Sequence, residues 1–234
     1  MLSPIETLKK AAAEKAVEQI KSGMVVGLGT GSTTKYAIIK IGELWQAGQL
    51  TDLIGIPTSE STVELAGQYG LPLGALADYP HLDLAIDGAD EVDPDLNLIK
   101  GLGGALLREK MIELEVAHFI VVVDESKLVQ KLGSKSAVPV EVTQFGWKHQ
   151  ANWLVQQLGC RPALRGGETQ PFVTDNGNYI LDCTFPHGID DPPALDTALH
   201  NRTGVVEHGL FLGMANEVIV AAAAGLRFLK AAPV

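Results

Sequence analysis

The sequence predicts an α/β protein, with a mostly parallel sheet covered by helices on both faces and a smaller α+β domain inserted into it. Three observations predict this. Short continuous apolar runs alternate with helical stretches up to about Gly133. Beyond Gly133 the order becomes β-α-β-β-α-β, the ferredoxin-like pattern of a small antiparallel domain. The tail, Glu217–Leu229, returns to long apolar runs that suit the first sheet. One domain is therefore expected over residues 1–133 plus 213–234, and a second over 134–212.

The elements follow in order. Ser3-Pro4-Ile5-Glu6 is an S-x-x-E capping box with proline at the first helical position. It opens a helix that runs through Ala11–Ile20 and stops at Ser22-Gly23. Met24–Leu28 reads as a strand, Gly29–Thr34 as a glycine-rich turn, and the stretch to Gln46 as a helix. Leu53–Ile56 is a strand, Thr58–Thr62 a turn and Val63–Tyr69 a helix. Leu82–Ile86 is a strand, Asp87–Asp95 an acidic loop and Gly103–Ala117 a helix. Phe119–Val123 is a strand that ends in Asp124-Glu125-Ser126-Lys127. In the second domain Val138–Val142 is a strand and Trp147–Leu158 a helix. Pro171–Thr174 and Tyr179–Cys183 flank Asp175-Asn176-Gly177-Asn178, a hairpin signal. Pro192–His200 is a helix and Val205–Leu212 a strand.

Composition excludes several functions. A chain of 234 residues with 46% hydrophobic and 20% charged residues is globular in character. Its 18 basic and 28 acidic residues give a net charge of −10 with no basic block, which argues against nucleic acids and anionic membrane surfaces as partners. The longest apolar run, Val218–Leu226, is far shorter than the ~20 residues that span a bilayer. The start, MLSPIETLKK, lacks the apolar region of a secretory signal. Cys160 and Cys183 form no C-x-x-C and read as buried thiols in a reducing cytosol, so a cytoplasmic location is expected.

Four motifs carry candidate chemistry. Gly27-Leu28-Gly29-Thr30-Gly31-Ser32-Thr33-Thr34 joins a strand to a helix, where tight backbone, amides at the helix start and hydroxyls suit a phosphate. The same residues also make an ordinary capped turn. The loop lacks the Gly-Lys-Ser/Thr of a P-loop, and the third glycine of a dinucleotide fingerprint is replaced by Ser32. Asp87-Gly88-Ala89-Asp90-Glu91 follows a strand at its carboxyl end, where α/β sheets bind ligands, although a solvated acidic turn is the commoner meaning of such a run. Counted from Asp93, the glycine and glutamate positions of a calcium loop hold Leu98 and Gly104. None of the six histidines forms an H-x-x-x-H pair, so no metal site is expected. Lys100-Gly101-Leu102-Gly103-Gly104 places an ammonium before a helix in which Glu109 lies about one and a half turns along. By themselves Glu109 and Lys110 read as surface charges. Lys9 and Lys127 read as solvated lysines, or as arms of a phosphate clamp if the fold brings them near Ser32 and Thr33.

Together and in this order, the motifs closely resemble the type A ribose-5-phosphate isomerases. The resemblance rests on Leu8-Lys9-Lys10, the GLGTGSTT loop, Thr58-Ser59, Ser61-Thr62, Asp87–Glu91, Lys100-Gly101, Arg108-Glu109-Lys110, Asp124–Lys127, Pro139–Val142 and Thr174–Asn178. It covers essentially the whole chain. It departs at Leu102, where the family more often has glycine.

The resemblance implies a Rossmann-like main domain, a smaller α+β domain and a homodimer, some members being tetramers. It also implies interconversion of D-ribose 5-phosphate and D-ribulose 5-phosphate through an enediolate, without metal or cofactor, in the pentose phosphate pathway or in carbon fixation. By resemblance Glu109 is the base, Lys100 stabilises the enediolate, Asp87 assists ring opening and Asp90 binds sugar hydroxyls. The substrate would be held by Lys9, Ser32, Thr33 and Lys127, with Thr30 and Gly31 shaping the pocket and Gly88, Ala89, Gly101 and Gly103 lining it.

Three other readings fit less well. A non-catalytic sugar-phosphate sensor would not need Asp87, Asp90, Lys100 and Glu109 all together. A hexosamine-phosphate deaminase would want a histidine in these motifs, and a CoA-transferase a glutamate nucleophile in another context. A nicotinamide-dependent dehydrogenase is opposed by Ser32.

Overall fold

The structure is a computed structural model that describes residues 3–231. Residues 1, 2 and 232–234, at the ends of the expected first domain, lie outside the described residues. In chain order the elements are α1 (Pro4–Val17), β1 (Val25–Leu28), α2 (Thr34–Gln46), β2 (Ile54–Pro57), α3 (Glu60–Gln68), β3 (Leu84–Asp87), β4 (Glu91–Val92), β5 (Leu98–Ile99) and α4 (Leu106–Glu113). Then come β6 (Phe119–Asp124), β7 (Val138–Val142), α5 (Trp147–Leu158), β8 (Arg161–Leu164), β9 (Tyr179–Thr184), α6 (Pro192–His200), β10 (Val205–His208), β11 (Leu210–Phe211), β12 (Glu217–Ala222) and β13 (Gly225–Lys230). Short 3-10 turns occupy Leu76–Asp78 and Glu125–Lys127.

The chain forms two compact units. The first comprises Met1–Ala89, Arg108–Lys127 and Met214–Val234; the second comprises Asp90–Leu107 and Leu128–Gly213, a wider set than 134–212. The first unit holds a six-stranded sheet in the order β13-β12-β6-β3-β1-β2, parallel except for β13 at its edge. The tail therefore does rejoin the first sheet, through β12 beside β6. Alternate residues face opposite sides. Val26, Leu28, Leu84, Ile86, Ile120 and Val122 pack with α1 and α2, while Ile112 of α4 meets Gly27 and Ala85 from the other face. A β-carbon at Gly27 would lie 2.8 Å from that of Ala85, so α4 can approach only because residue 27 is glycine.

The helix α1 starts as expected, with the Ser3 side chain accepting a hydrogen bond from the Glu6 amide at 3.3 Å. The reciprocal half of the capping box does not form. The Glu6 carboxylate instead accepts from the Tyr36 hydroxyl and pairs with Lys35 at 3.4 Å and Lys9 at 3.9 Å. The expected turn over Thr58–Thr62 is shorter, because Ser59 caps α3 through the Thr62 amide.

The second unit holds a four-stranded antiparallel sheet, β10-β7-β9-β8, and a three-stranded one, β11-β5-β4. The β-α-β-β-α-β order is present, but two expected strands are corrected. Pro171–Thr174 is not a strand. Both edges of β9 are already taken, by β7 and by β8, so no place is left for it in the ladder. The Asp175–Asn178 turn does close, with the Thr174 amide donating to the Asn178 carbonyl at 2.9 Å. Val205–Leu212 splits at Gly209 into β10 and β11, which join different sheets. Gly209 passes so close to the Lys100 carbonyl that a β-carbon would stand 2.2 Å from that oxygen.

Glu141, fully buried on β7, accepts from Thr174 Oγ1 and Asn178 Nδ2, both at 2.9 Å. Burial pushes its carboxyl above the ordinary value of 4.5, against the lowering effect of these bonds. A carboxyl raised in the fold favours folding most at low pH, and that contribution is lost as pH rises from 4.5 through the folded value. Glu141→Gln keeps an acceptor for both donors and should flatten this fall. Urea melts on either side of 4.5 check it, and an unchanged pH slope in the variant would contradict it.

Candidate active site

In the first unit the strand order reverses at β1. The chain steps from β1 to β2 on one side and then to β3 on the other. Such a switch point leaves a crevice at the carboxyl ends of the two strands, where α/β sheets bind ligands. The glycine-rich loop leaves β1 there, and Asp87 ends β3 there. Asp87 is buried, and its Oδ1 accepts from the Thr30 amide at 3.1 Å, Thr34 Oγ1 at 3.1 Å and the Gly88 amide at 2.6 Å. These donors fix the carboxylate. A β-carbon at Gly29 would sit 2.2 Å from Asp87 Cγ, so only glycine lets the loop lie against it. Gly31, with φ +134°, adopts a backbone conformation that other residues rarely take.

The loop then enters α2 at Thr33 and Thr34, whose first-turn amides and helix dipole favour an anion. A cavity of about 280 Å³ opens there, lined by the loop Gly29–Ser32 and by Lys35, Ser61 and Thr62. Lys9 reaches it from α1, with Nζ 3.0 Å from Ser32 Oγ. Thr30 Oγ1 lies 2.7 Å from both Thr58 Oγ1 and Ser59 Oγ and 3.1 Å from Thr62 Oγ1, a hydroxyl cluster that ties the loop to the start of α3. Thr30 thus lines the cavity and holds the loop beside it. Lys35 was not singled out by the sequence. Its signal is its place in the first turn of the helix after the loop.

Glu109 is buried on α4, contrary to its plain reading as a surface charge, and Lys110 is buried beside it. The preceding Arg108 pairs with Glu60 at 2.8 Å, which anchors α4 to the first residue of α3, just past the carboxyl end of β2. Lys127 ends the 3-10 turn after β6, whose start is fastened by Asp124 Oδ1 accepting from the Ser126 amide at 3.0 Å.

The second unit carries Asp90, Lys100, Gly101 and Gly103. The acidic run is not a solvated loop. Glu91 is fully buried in β4, and its carboxylate accepts from the amides of Gly133 and Lys135 at 2.6 Å and of Ser136 at 2.5 Å. Lys100 follows β5. Its side chain is only 2% exposed, its amide donates to the Gly209 carbonyl at 2.9 Å, and its Nζ lies 5.4 Å from the Phe211 ring centre. Gly101, with φ +96°, turns the chain where a β-carbon would meet Leu106 at 2.7 Å. Leu102 needs no such freedom: it is not among the positive-φ residues, and its side chain is exposed. Its amide donates to Asp90 Oδ2 at 3.0 Å.

Arg165 completes this loop and was not foreseen. Its Nη1 donates to the carbonyls of Gly101 and Leu102, both at 3.0 Å, while Nε and Nη2 hold Asp182 at 3.0 and 2.5 Å. No local pattern marks an arginine whose carbonyl partners lie more than sixty residues away.

Comparison with known proteins shows the family of the chain. A sequence model of the family described as ribose 5-phosphate isomerase A (phosphoriboisomerase A) matches residues 54–225. A probable ribose-5-phosphate isomerase 3, chloroplastic, of Arabidopsis thaliana is 52% identical over 229 residues, covering 96% of this chain and 83% of the relative. Ribose-5-phosphate isomerase A of Desulfatibacillum aliphaticivorans is 51% identical, covering 97% and 98%. A solved D-ribose-5-phosphate isomerase in complex with phospho-erythronic acid superposes with a TM-score of 0.93 at 44% identity, covering 97% of this chain and 100% of that one. Among the described residues no helix is long and apolar enough to cross a membrane. With half its residues or more shared with relatives that span nearly all of it, the chain belongs to the ribose 5-phosphate isomerase A family, whose reaction, the interconversion of D-ribose 5-phosphate and D-ribulose 5-phosphate in the pentose phosphate pathway, is its own.

Proposed function

We propose that Glu109 is the base that carries a proton between C1 and C2 of the sugar, and that Lys100 stabilises the negative oxygens of the enediolate. Moving a proton between adjacent carbons needs one group that both takes and returns it, and a carboxylate sheltered from water suits this work. A fixed ammonium acts more strongly on developing charge where water is excluded. The burial of both side chains supports these roles. Asp87 exchanges protons with the ring oxygen and anomeric hydroxyl during ring opening, its carboxylate already oriented through Oδ1. Asp90 binds sugar hydroxyls, while Gly88, Ala89, Gly101 and Gly103 admit the substrate at backbone distance.

Ser32, Thr33 and the loop amides bind the phosphate, and Lys9 and Lys127 supply charge. The observation that carries this reading is the cavity at the start of α2, with the Lys9 ammonium bonded to Ser32. Lys35 adds a third cation at its lining. The phospho-erythronic acid held by the solved relative is a phosphorylated acid, a ligand that such an anion site would take. The test is Lys127→Ala, which should raise KM about tenfold and leave kcat nearly unchanged, because a phosphate contact is kept in ground and transition states alike. A defect confined to kcat would remove Lys127 from the clamp.

Arg165 is a positioning residue in this scheme, acting through the carbonyls of the Lys100 loop. Arg165→Ala should lower kcat by roughly tenfold to a hundredfold, the scale of a small misplacement at a reacting centre. Arg165→Lys should restore little of it, because an ammonium does not reproduce the planar fork. Equal loss of stability with full kcat would make the residue merely structural. The same proposal makes the protein a cytoplasmic homodimer, which light scattering on the purified chain and fractionation would check.

A further inference from the structure

A second cluster of side chains lies in the second unit, among residues with no part in the isomerase scheme. Asp196 and His200 stand one turn apart on α6, and His208 ends β10 against them. His208 Nε2 lies 3.2 Å from His200 Nδ1 and 3.4 Å from Asp196 Oδ1, and His200 Nδ1 lies 3.3 Å from Asp196 Oδ2. Zinc bonds of about 2.0–2.1 Å hold tetrahedral ligands about 3.3–3.4 Å apart. The two Asp196 distances are to different carboxylate oxygens; one ligand atom from each residue lies within 4.8 Å of the others, near enough for a small side-chain adjustment to gather all three around one ion. Packing sets this spacing, because His208 is fully buried.

A fourth group fits the same purpose. Glu207 Oε1 lies 3.5 Å from His200 Nε2, the ring nitrogen not offered to the ion, and 3.9 Å from His208 Nε2, and it accepts from the His208 amide at 2.8 Å. A carboxylate on the far nitrogen of a ligating histidine fixes its tautomer and orientation. The Leu210 amide donates to His208 Nδ1 at 3.3 Å, so the His208 proton sits on Nε2. Without an ion, His208 Nε2–H and His200 Nδ1–H can each donate to an Asp196 oxygen, at 3.4 and 3.3 Å. A cation satisfies all three donors at once.

We propose that Asp196, His200 and His208 bind one divalent transition metal, best matched by zinc, with Glu207 orienting His200. Two imidazoles with a carboxylate select such an ion over calcium or magnesium, which take oxygen ligands. Water completes the coordination on the open side, where Asp196 and His200 are 31% and 48% exposed. The ion clips the end of α6 to the end of β10. Binding moves the His208 proton from Nε2 to Nδ1 and forfeits the Leu210 hydrogen bond, which sets the affinity below that of a fully preformed site.

The test uses the full chain stripped with chelator and titrated with zinc chloride and with cobalt chloride. One equivalent of zinc should bind, and a large excess should raise the melting temperature by several degrees. Calcium and magnesium should leave it unchanged. Bound cobalt should show a tetrahedral d–d spectrum without a thiolate charge-transfer band, which separates this site from Cys160 and Cys183. His200→Ala and Asp196→Ala, both at partly exposed positions, should weaken zinc at least tenfold and abolish the melting shift while leaving isomerase turnover unchanged. Glu207→Gln should weaken it by about tenfold. No zinc binding by the parent chain, undiminished binding in both alanine variants, or a thiolate band would overturn the proposal.

Discussion

Glu109→Gln should lower kcat by roughly 10²–10⁴ and leave KM nearly unchanged. Glutamine has the shape of glutamate and keeps an acceptor oxygen, but it cannot take a proton from carbon. The side chain is 3% exposed on a helix tied down by the Arg108–Glu60 pair, so the substitution changes chemistry rather than architecture. The measurement is the rate of ketose formation from ribose 5-phosphate, together with loss of the C2 deuterium label to solvent. Turnover close to that of the parent chain would exclude Glu109 as the base. Loss of isomerisation with label exchange retained would place it after the first proton transfer.

Lys100→Met should lower kcat by about 10²–10³, the range found on removing one donor from a developing oxyanion. Methionine fills most of the lysine volume, and the apolar neighbour Phe211 accepts it. The fold should therefore persist, as a melting curve would verify. Because the enediolate charge is absent from the bound sugar, KM should move far less than kcat. Lys100→Arg should not rescue the rate, since the longer planar guanidinium cannot take the position of a compact ammonium in so buried a site. A variant limited to a higher KM would reassign Lys100 to substrate binding.

The candidate site was legible in part. Residue types and order pointed to a phosphate loop, an acidic run and a lysine before a helix. Taken singly, however, Asp87, Glu109 and Lys110 were indistinguishable from surface charges, and all three are buried. Burial of a charged side chain is set by what packs over it, which neighbours in sequence do not encode. Arg165 and Lys35 illustrate two grades of the same difficulty. Lys35 adjoins a recognised loop and was open to inference, whereas Arg165 acts on carbonyls that only folding brings near. The Asp196–His200–His208 cluster escaped a search for paired histidines because its rings come from a helix and from a strand.

The sequence by itself determined the elements whose signals are local. Trp147–Leu158, Pro192–His200 and Val138–Val142 have the bounds that their periodicity and flanking residues predict. Alternation of apolar strands with helices likewise sufficed for the fold class, because periods of two and of 3.6 are read within a few residues. Tertiary structure alone decided which strands pair. It gave β9 the partners β7 and β8 in place of Pro171–Thr174, and divided Val205–Leu212 between two sheets at Gly209. It also set β1 between β2 and β3, so that the glycine loop and Asp87 meet at the reversal of strand order. The reason is common to these cases: a ladder edge, a buried carboxylate and a crevice are each defined by residues distant in the chain.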